Sequence, residues 1–206
     1  REPTMTYDAA RQRVVLFGGT TDHSQLVYVD TWEWDGNTWT QKLPAISPPA
    51  RIGHSMTYDV GRARVVLFGG KSPVGDSFGD TWEWDGAAWV DKTPATGPSA
   101  RDRGHAMAYD STRGRVVLFG GSDDSGVRGD TWEWDGASWV ERAPATAPPA
   151  RVDHALAGLE GSELDAVAST VGPVQFFPAL MPKRLWLEEP SARRISLFPQ
   201  PLSSAE

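Results

Sequence analysis

The sequence contains no cysteine, which removes disulfides, thiolate metal sites and cysteine nucleophiles together but leaves the compartment open, since exported chains often lack cysteine too. Long apolar runs are missing as well. The longest, such as Val14 to Phe17, fall far short of the roughly 20 residues that a membrane-spanning helix needs. Positive charge is in deficit: 20 Lys and Arg face 27 Asp and Glu, and a net charge of −7 argues against broad nucleic-acid binding, which requires a basic surface. The chain opens at Arg1 with neither an initiator methionine nor a signal peptide, so the N-terminus is expected to be processed or missing, and localisation stays open. What is plentiful is glycine (21), proline (16) and tryptophan (10) in 206 residues of which 39% are hydrophobic. That is enough for a sizeable core and excludes disorder or collagen for the bulk of the chain.

Self-comparison is the informative step. The string DTWEWDG occurs at Asp30 to Gly36, Asp80 to Gly86 and Asp130 to Gly136, and VVLFGG starts at Val14, Val65 and Val116. A Pro-x-Ala-Arg marker closes each unit at Arg51, Arg101 and Arg151. A period of about fifty residues marks a solenoid or propeller, and local chemistry has to be read in that frame. The units run 1–50, 51–100 and 101–150, with a fourth opening at 151–206.

Each unit reads as strands throughout. His54, Met56 and Tyr58 alternate with Ser55, Thr57 and Asp59, the period of a half-buried strand. Arg64 to Phe68 is a continuous β-branched run bounded by Gly69-Gly70, as expected of a strand buried on both faces. Thr81 to Trp84 puts Trp82 and Trp84 on one face and Glu83 on the other, and Asp85-Gly86 turns the chain into a fourth strand holding Trp89. A Pro-rich stretch at 94–100 cannot continue a ladder and carries the chain to the next unit. Four-stranded meanders with large side chains on both faces must stack, and radial stacking of such sheets is a β-propeller.

An RxGH opening (Arg51-Ile-Gly-His54), an apolar strand ending in diglycine (Val65 to Gly70), an acidic strand flanked by aromatics (Asp80 to Gly86) and a tryptophan some twenty residues beyond (Trp89) together resemble the kelch repeat. The resemblance covers about 150 residues, with the opening of the first copy altered to Arg1-Glu-Pro-Thr4. It implies an all-β, kelch-type propeller of three four-stranded blades followed by a degenerate or disrupted fourth. Propellers have about four to eight blades, and the pattern stops after Arg151-Val-Asp-His154. Three explanations are open: a piece of a longer or frame-disrupted propeller, a degenerate cap using strands at 174–177, 184–187 and 194–198, or two chains pairing to complete a ring.

Repetition also sorts the candidate residues. Trp32, Trp39, Trp82, Trp89, Trp132 and Trp139, with Trp34 and its equivalents, recur at equal places, which suits inter-blade packing better than a sugar-stacking platform. Glu33, Glu83 and Glu133 are expected to be buried acids satisfied by arginines. His54, His105 and His154 read as hydrogen-bonding groups at strand starts, and no metal is expected there. The diglycines Gly18-Gly19, Gly69-Gly70 and Gly120-Gly121 precede no helix and lack a phosphate-gripping Lys-Ser/Thr, so close packing explains them. The loops after them vary while the frame does not, which marks Asp22, His23, Asp76, Asp123, Asp124 and Arg128 as ligand-binding candidates. No calcium-loop spacing is present.

The kelch resemblance further implies that arginines at the start of the innermost strand line one channel mouth, here Arg51, Arg101 or Arg103, and Arg151, where they would favour carboxylate-bearing partners. The competing assignment is that these arginines pair internally with the strand-three glutamates. The functional expectation is a non-enzymatic module that binds a protein or glycan, anionic in character, with no cofactor, no nucleic acid and self-association as an open partner. The alternative is a carbohydrate-active enzyme on the same fold: an oxidase of the family would need a Tyr-Cys pair that this chain lacks, and an epimerase would need a non-repeated acid-base group. Fold alone does not decide between them.

Overall fold

The computed structural model describes residues 3–21 and 26–158. Among them there is no helix, and the chain forms three antiparallel four-stranded sheets. The first holds β1 (Thr4–Asp8), β2 (Arg13–Phe17), β3 (Thr31–Trp34) and β4 (Trp39–Lys42). The second holds β5 (Ser55–Asp59), β6 (Arg64–Phe68), β7 (Thr81–Trp84) and β8 (Trp89–Asp91). In the third, β9 (Ala106–Asp110), β10 (Arg115–Phe119), β13 (Thr131–Trp134) and β14 (Trp139–Arg142) are joined in the same meander order. A small hairpin, β11 (Ser122–Asp123) with β12 (Gly126–Val127), interrupts that sheet's long loop; its two-residue strands carry no alternation that sequence could show. The fourth-copy strands expected at 174–177, 184–187 and 194–198 lie outside the described residues.

Turn chemistry sets each register. Asp59 pairs with Arg64 across the first turn, and Asp59 Oδ1 accepts the Arg62 backbone N–H at 3.0 Å while Oδ2 accepts Arg62 Nε at 2.8 Å. At the β7–β8 turn, Asp85 Oδ1 accepts the amides of Ala87 and Ala88 at 2.8 Å, and Gly86 takes φ 102°. These local bonds satisfy the orphan amides of the turns. They also hold the Asp85 carboxyl below the usual carboxylate range, against the opposing effect of its partial burial.

Strands β1, β5 and β9 are successive neighbours, so the sheets stack through their first strands in the manner of propeller blades. The two seams between sheets are chemically identical. At the first, Trp84 Nε1 donates to Glu33 Oε1 at 3.0 Å and Trp89 Nε1 to Thr31 Oγ1 at 2.9 Å. Trp134 and Trp139 repeat this on Glu83 and Thr81 at 3.0 and 2.9 Å. The Ala10 amide donates to the Tyr58 hydroxyl at 3.3 Å, and the Gly61 amide to that of Tyr109 at 3.0 Å. Phe17 and Phe68 meet the edges of His54 and Trp89, and of His105 and Trp139, respectively. Each seam buries one sheet's Val and Phe against the next sheet's Trp, Tyr, Met and aliphatic side chains, so the core lies between blades rather than within one.

Candidate ligand-binding mouth

The opening arginines are the first candidates to place. Arg51 is fully buried, donating through Nη1 and Nη2 to the two oxygens of Asp80 at 2.6 and 2.7 Å, through Nη1 to Gly69 O at 2.9 Å and through Nε to Pro49 O at 3.0 Å. Its guanidinium also lies 4.2 Å from the Phe78 ring centroid. Arg101, equally buried, donates from Nη2 to Asp130 Oδ2 at 2.5 Å. The internal partner of Arg51 and Arg101 is therefore the aspartate that begins the second and third DTWEWDG strings, and not the strand-three glutamate. The same aspartates accept the first tryptophan's N–H: Asp80 from Trp82 at 2.7 Å, Asp130 from Trp132 at 2.8 Å, and Asp30 from Trp32 at 2.6 Å. The glutamates pair instead with arginines of the β1–β2, β5–β6 and β9–β10 turns, Glu33 with Arg11, Glu83 with Arg62 and Glu133 with Arg113, and Glu133 pairs also with Arg142 of β14. Sequence could have found this, because Asp-x-x-Arg recurs in every copy at those turns.

Arg151 is exposed, and its Nε donates to Pro149 O at 3.1 Å, matching the Arg51 bond to Pro49. Arg103 differs from all of these. It stands immediately before Gly104 where the other units carry Ile52 before Gly53 and Val152 before Asp153, so it interrupts the repeat. It is exposed, and its side chain has no hydrogen-bond or ion-pair partner among the described residues.

Arg103 lines a cavity of about 320 Å³ together with His54, His105, His154, Asp153 and Thr4. The histidines arrive there because each follows a glycine-like bend: Gly53 has φ 67°, Gly104 φ 69°, and Asp153 takes the same left-handed conformation at φ 56°. His105 Nε2 lies 3.0 Å from Phe68 O, and the backbone of Phe17 and of Phe119 stands in the equivalent place against His54 and His154, while the Nδ1 atoms of all three are buried without a partner. Burial, reinforced by Arg51 and His105, pushes His54 down to about 3; burial, with Arg101 and His154 adding to it, pushes His105 down to about 4. Burial, with Arg151 adding to it, pushes His154 down as well, and a neutral imidazole can accept one bond and donate one. The three imidazoles do not cluster for a metal; among the described residues no group of three or more His, Asp or Glu side chains could hold one.

The diglycines frame this mouth. A Cβ at Gly70 would stand 2.7 Å from Ile52 O, and one at Gly121 2.6 Å from the His105 Cβ, with φ of 100° and 91°. Gly18, Gly19, Gly69 and Gly120 share the positive φ.

The loops after them are partly spent on themselves. Arg128 Nη2 and Asp123 Oδ2 lie 2.5 Å apart, and Asp123 also accepts Ser99 Oγ at 2.9 Å and the Ser125 amide at 2.8 Å, so this pair ties the β11–β12 hairpin. Asp76 is exposed and uses its backbone amide on Ser72 Oγ at 2.9 Å; Asp124 is exposed too. Asp22 and His23 lie outside the described residues. The repeat tryptophans sit at the seams, with Trp82, Trp89 and Trp139 buried, Trp32 and Trp132 half-buried and Trp39 exposed at the free edge.

No curated protein matches the chain. The family model described as the KLHDC2/KLHL20/DRC7 Kelch-repeats domain matches residues 4–164, well over half of the sequence. Its span takes in all three sheets and the fourth opening, and kelch domains commonly bind proteins. With four-stranded meanders stacked through identical Trp–Glu and Trp–Thr seams, the chain belongs to the kelch-repeat family of β-propellers.

Proposed function

We propose that the chain is a non-catalytic recognition module that takes a carboxylate-bearing segment of a protein partner at the histidine-lined mouth, with Arg103 as its principal contact. The observation that carries this reading is the contrast between Arg103 and its neighbours. Arg51 and Arg101 are buried and bonded to Asp80 and Asp130, although Arg101 Nε and Nη1 lack a partner, whereas Arg103 breaks the repeat, is exposed and is unpaired among the described residues. Residues that depart from a rigid repeating frame at a loop are where specificity is carried. A guanidinium recognises a carboxylate by two parallel bonds, and the exposed Asp153 and half-buried Thr4 in the same lining suit the N–H groups of a peptide. The mouth's lining contains no tryptophan, which favours a peptide over a sugar.

The test is fluorescence anisotropy with labelled Asp- and Glu-rich peptides against the whole chain at low and high salt. Salt-sensitive binding is expected, weakened about tenfold or more by Arg103→Ala, as the loss of a charge-assisted bond implies. Binding that is unchanged by Arg103→Ala would sink this reading.

A further inference from the structure

The opening of the third unit carries one residue more than those of the second and the fourth. Between the opening arginine and the left-handed residue that precedes the histidine, the second has Ile52 and the fourth has Val152, whereas the third has Asp102 and Arg103. The backbone bonds place the extra residue. Ile52 and Lys71 exchange a regular pair of bonds, N–H to O at 3.1 and 2.8 Å. Ser122 holds the place of Lys71 in the third unit, and it faces two residues: its carbonyl accepts the Asp102 amide at 2.9 Å, while its own amide donates to Arg103 O at 3.0 Å. Two residues opposite one is a β-bulge, a device that re-aims a side chain and is common beside binding sites. Arg103 therefore keeps the ladder place of Ile52, yet it is exposed where Ile52 and Val152 are half-buried.

The bulge is held from both neighbouring blades. Asp102 Oδ1 accepts Ser122 Oγ at 2.6 Å, and Lys71 Nζ stands 3.9 Å from Oδ2. The Asp102 carbonyl rests on the preceding opening, 2.6 Å from the place a Cβ on Gly53 would take. Holding the bulge weakens the frame around it. Arg51 and Arg151, whose openings have no insertion, each donate from Nε to the carbonyl two residues back at 3.0 and 3.1 Å, and Arg51 grips both oxygens of Asp80. Arg101, directly before the insertion, bonds Asp130 through Nη2, while its Nε and Nη1 and Asp130 Oδ1 are buried with no partner among the described residues. Buried polar groups without partners are destabilising. A local departure that loses such bonds and fills no core marks a functional position.

We propose that Asp102 is a positioning residue for recognition: by inserting a bulge ahead of His105 it lifts Arg103 out of the half-buried ladder place and presents the guanidinium to the mouth. Asp102 is not itself a ligand contact, because its carboxylate is occupied by Ser122 and Lys71, and its effect passes through Arg103. The inference rests on the carboxylate reading of the mouth for the identity of the ligand. Its geometry does not, since every bond it invokes lies within or between the second and third units.

Deleting Asp102 from the whole chain restores the spacing of the second unit and moves two measurements in opposite directions. Anisotropy with Asp- and Glu-rich peptides should show binding weakened about tenfold or more, as for Arg103→Ala, and adding Arg103→Ala to the deletion should weaken it no further. The thermal midpoint should equal or exceed the parent's, because Arg101 is then free to grip both oxygens of Asp130. Asp102→Asn keeps the bulge and an acceptor for Ser122, and should bind no more weakly than the parent. A measurement without ligand separates this inference from the function it rests on: the rate at which an arginine-selective dicarbonyl modifies Arg103, followed by peptide mass spectrometry. That rate should fall on deletion. A fall in a protein whose parent binds no acidic peptide supports the positioning role and refutes the carboxylate reading alone. An unchanged rate overturns the positioning role, and so does peptide binding that survives the deletion. If the deletion proves unfolded by circular dichroism, Ser122→Ala, which removes the clamp on Asp102, takes its place. It should lower both binding and rate, and leaving both unchanged overturns the proposal.

Discussion

Trp134 of the third sheet donates its indole N–H to Glu83 of the second across 3.0 Å, and Trp84 makes the same bond to Glu33 one blade earlier. Glu83 is held on its own sheet by Arg62, so one buried carboxylate joins an arginine from its own turn to an indole from the next blade. The bonds within a sheet and the bonds between sheets are therefore not independent.

Removing the acid should be worse than removing the indole. Glu83→Ala strands the Arg62 guanidinium and the Trp134 N–H together, and breaking a buried pair by deleting one partner costs about 3–5 kcal/mol, less here because Arg62 is partly exposed. Trp134→Phe leaves Glu83 with Arg62 and loses one bond and some area, about 1–3 kcal/mol. Urea denaturation of both single variants and the double variant measures the order and the coupling.

Arg51 and Arg103 should separate stability from recognition. Arg51→Ala leaves Asp80 with the Trp82 indole but without its cation, beside a buried void, and should destabilise by about 3–5 kcal/mol. Arg103→Ala removes an exposed, unpaired side chain and should stay within about 0.5 kcal/mol of the parent. Equal loss of thermal stability in the two variants would show that Arg103 is also structural.

Acid should weaken the fold through its buried histidines. His54 and His105 are pushed down to about 3 and about 4 in the folded chain from about 6.5 when unfolded. The unfolded chain therefore binds protons that the folded one refuses, and stability falls as pH drops from about 6.5 toward 4. Each histidine contributes a slope of about 1.4 kcal/mol per pH unit. Below that window the aspartates held low by their hydrogen bonds, Asp110, Asp130 and Asp135 among them, lose their contribution in turn. Urea midpoints at pH 7 and pH 5 should differ, and His105→Phe should flatten the difference.

Two glycines with similar φ should respond differently. Gly121→Ala combines φ 91° with a Cβ 2.6 Å from the His105 Cβ, whereas Gly36→Ala, at φ 98°, meets nothing within 4 Å. The second carries only the backbone strain, about 1–3 kcal/mol; the first adds a clash with a seam residue and should cost visibly more in a thermal melt.

Much of this was legible in advance. The period-two strand at Ser55 to Asp59, the doubly buried run at Val65 to Phe68 and the Asp-Gly hairpins are local patterns, and each became the expected strand or turn. The opening arginines were harder. Arg51 and Asp80 are 29 residues apart, and nothing in their spacing told Asp80 from Glu83, three residues on, as the acid that would meet the guanidinium. Alternation places Glu83 toward the Arg62 side of the sheet, and only the β5–β6 turn geometry brings Arg62 to it. The unpaired state of Arg103 was hidden for a related reason, since Arg101 and Arg103 both precede the same histidine and only burial distinguishes them.

Nine of the ten tryptophans belong to the repeat, and the repeat alone was sufficient to establish an all-β array of four-stranded units, because strand period, turn residues and diglycine are short-range properties of the chain. Which tryptophan bonds which neighbour, and which arginines are buried on an aspartate, were decided only when the units stacked. A buried polar group is satisfied by whatever the next blade brings to it, and that is a property of the assembled seam rather than of any one copy.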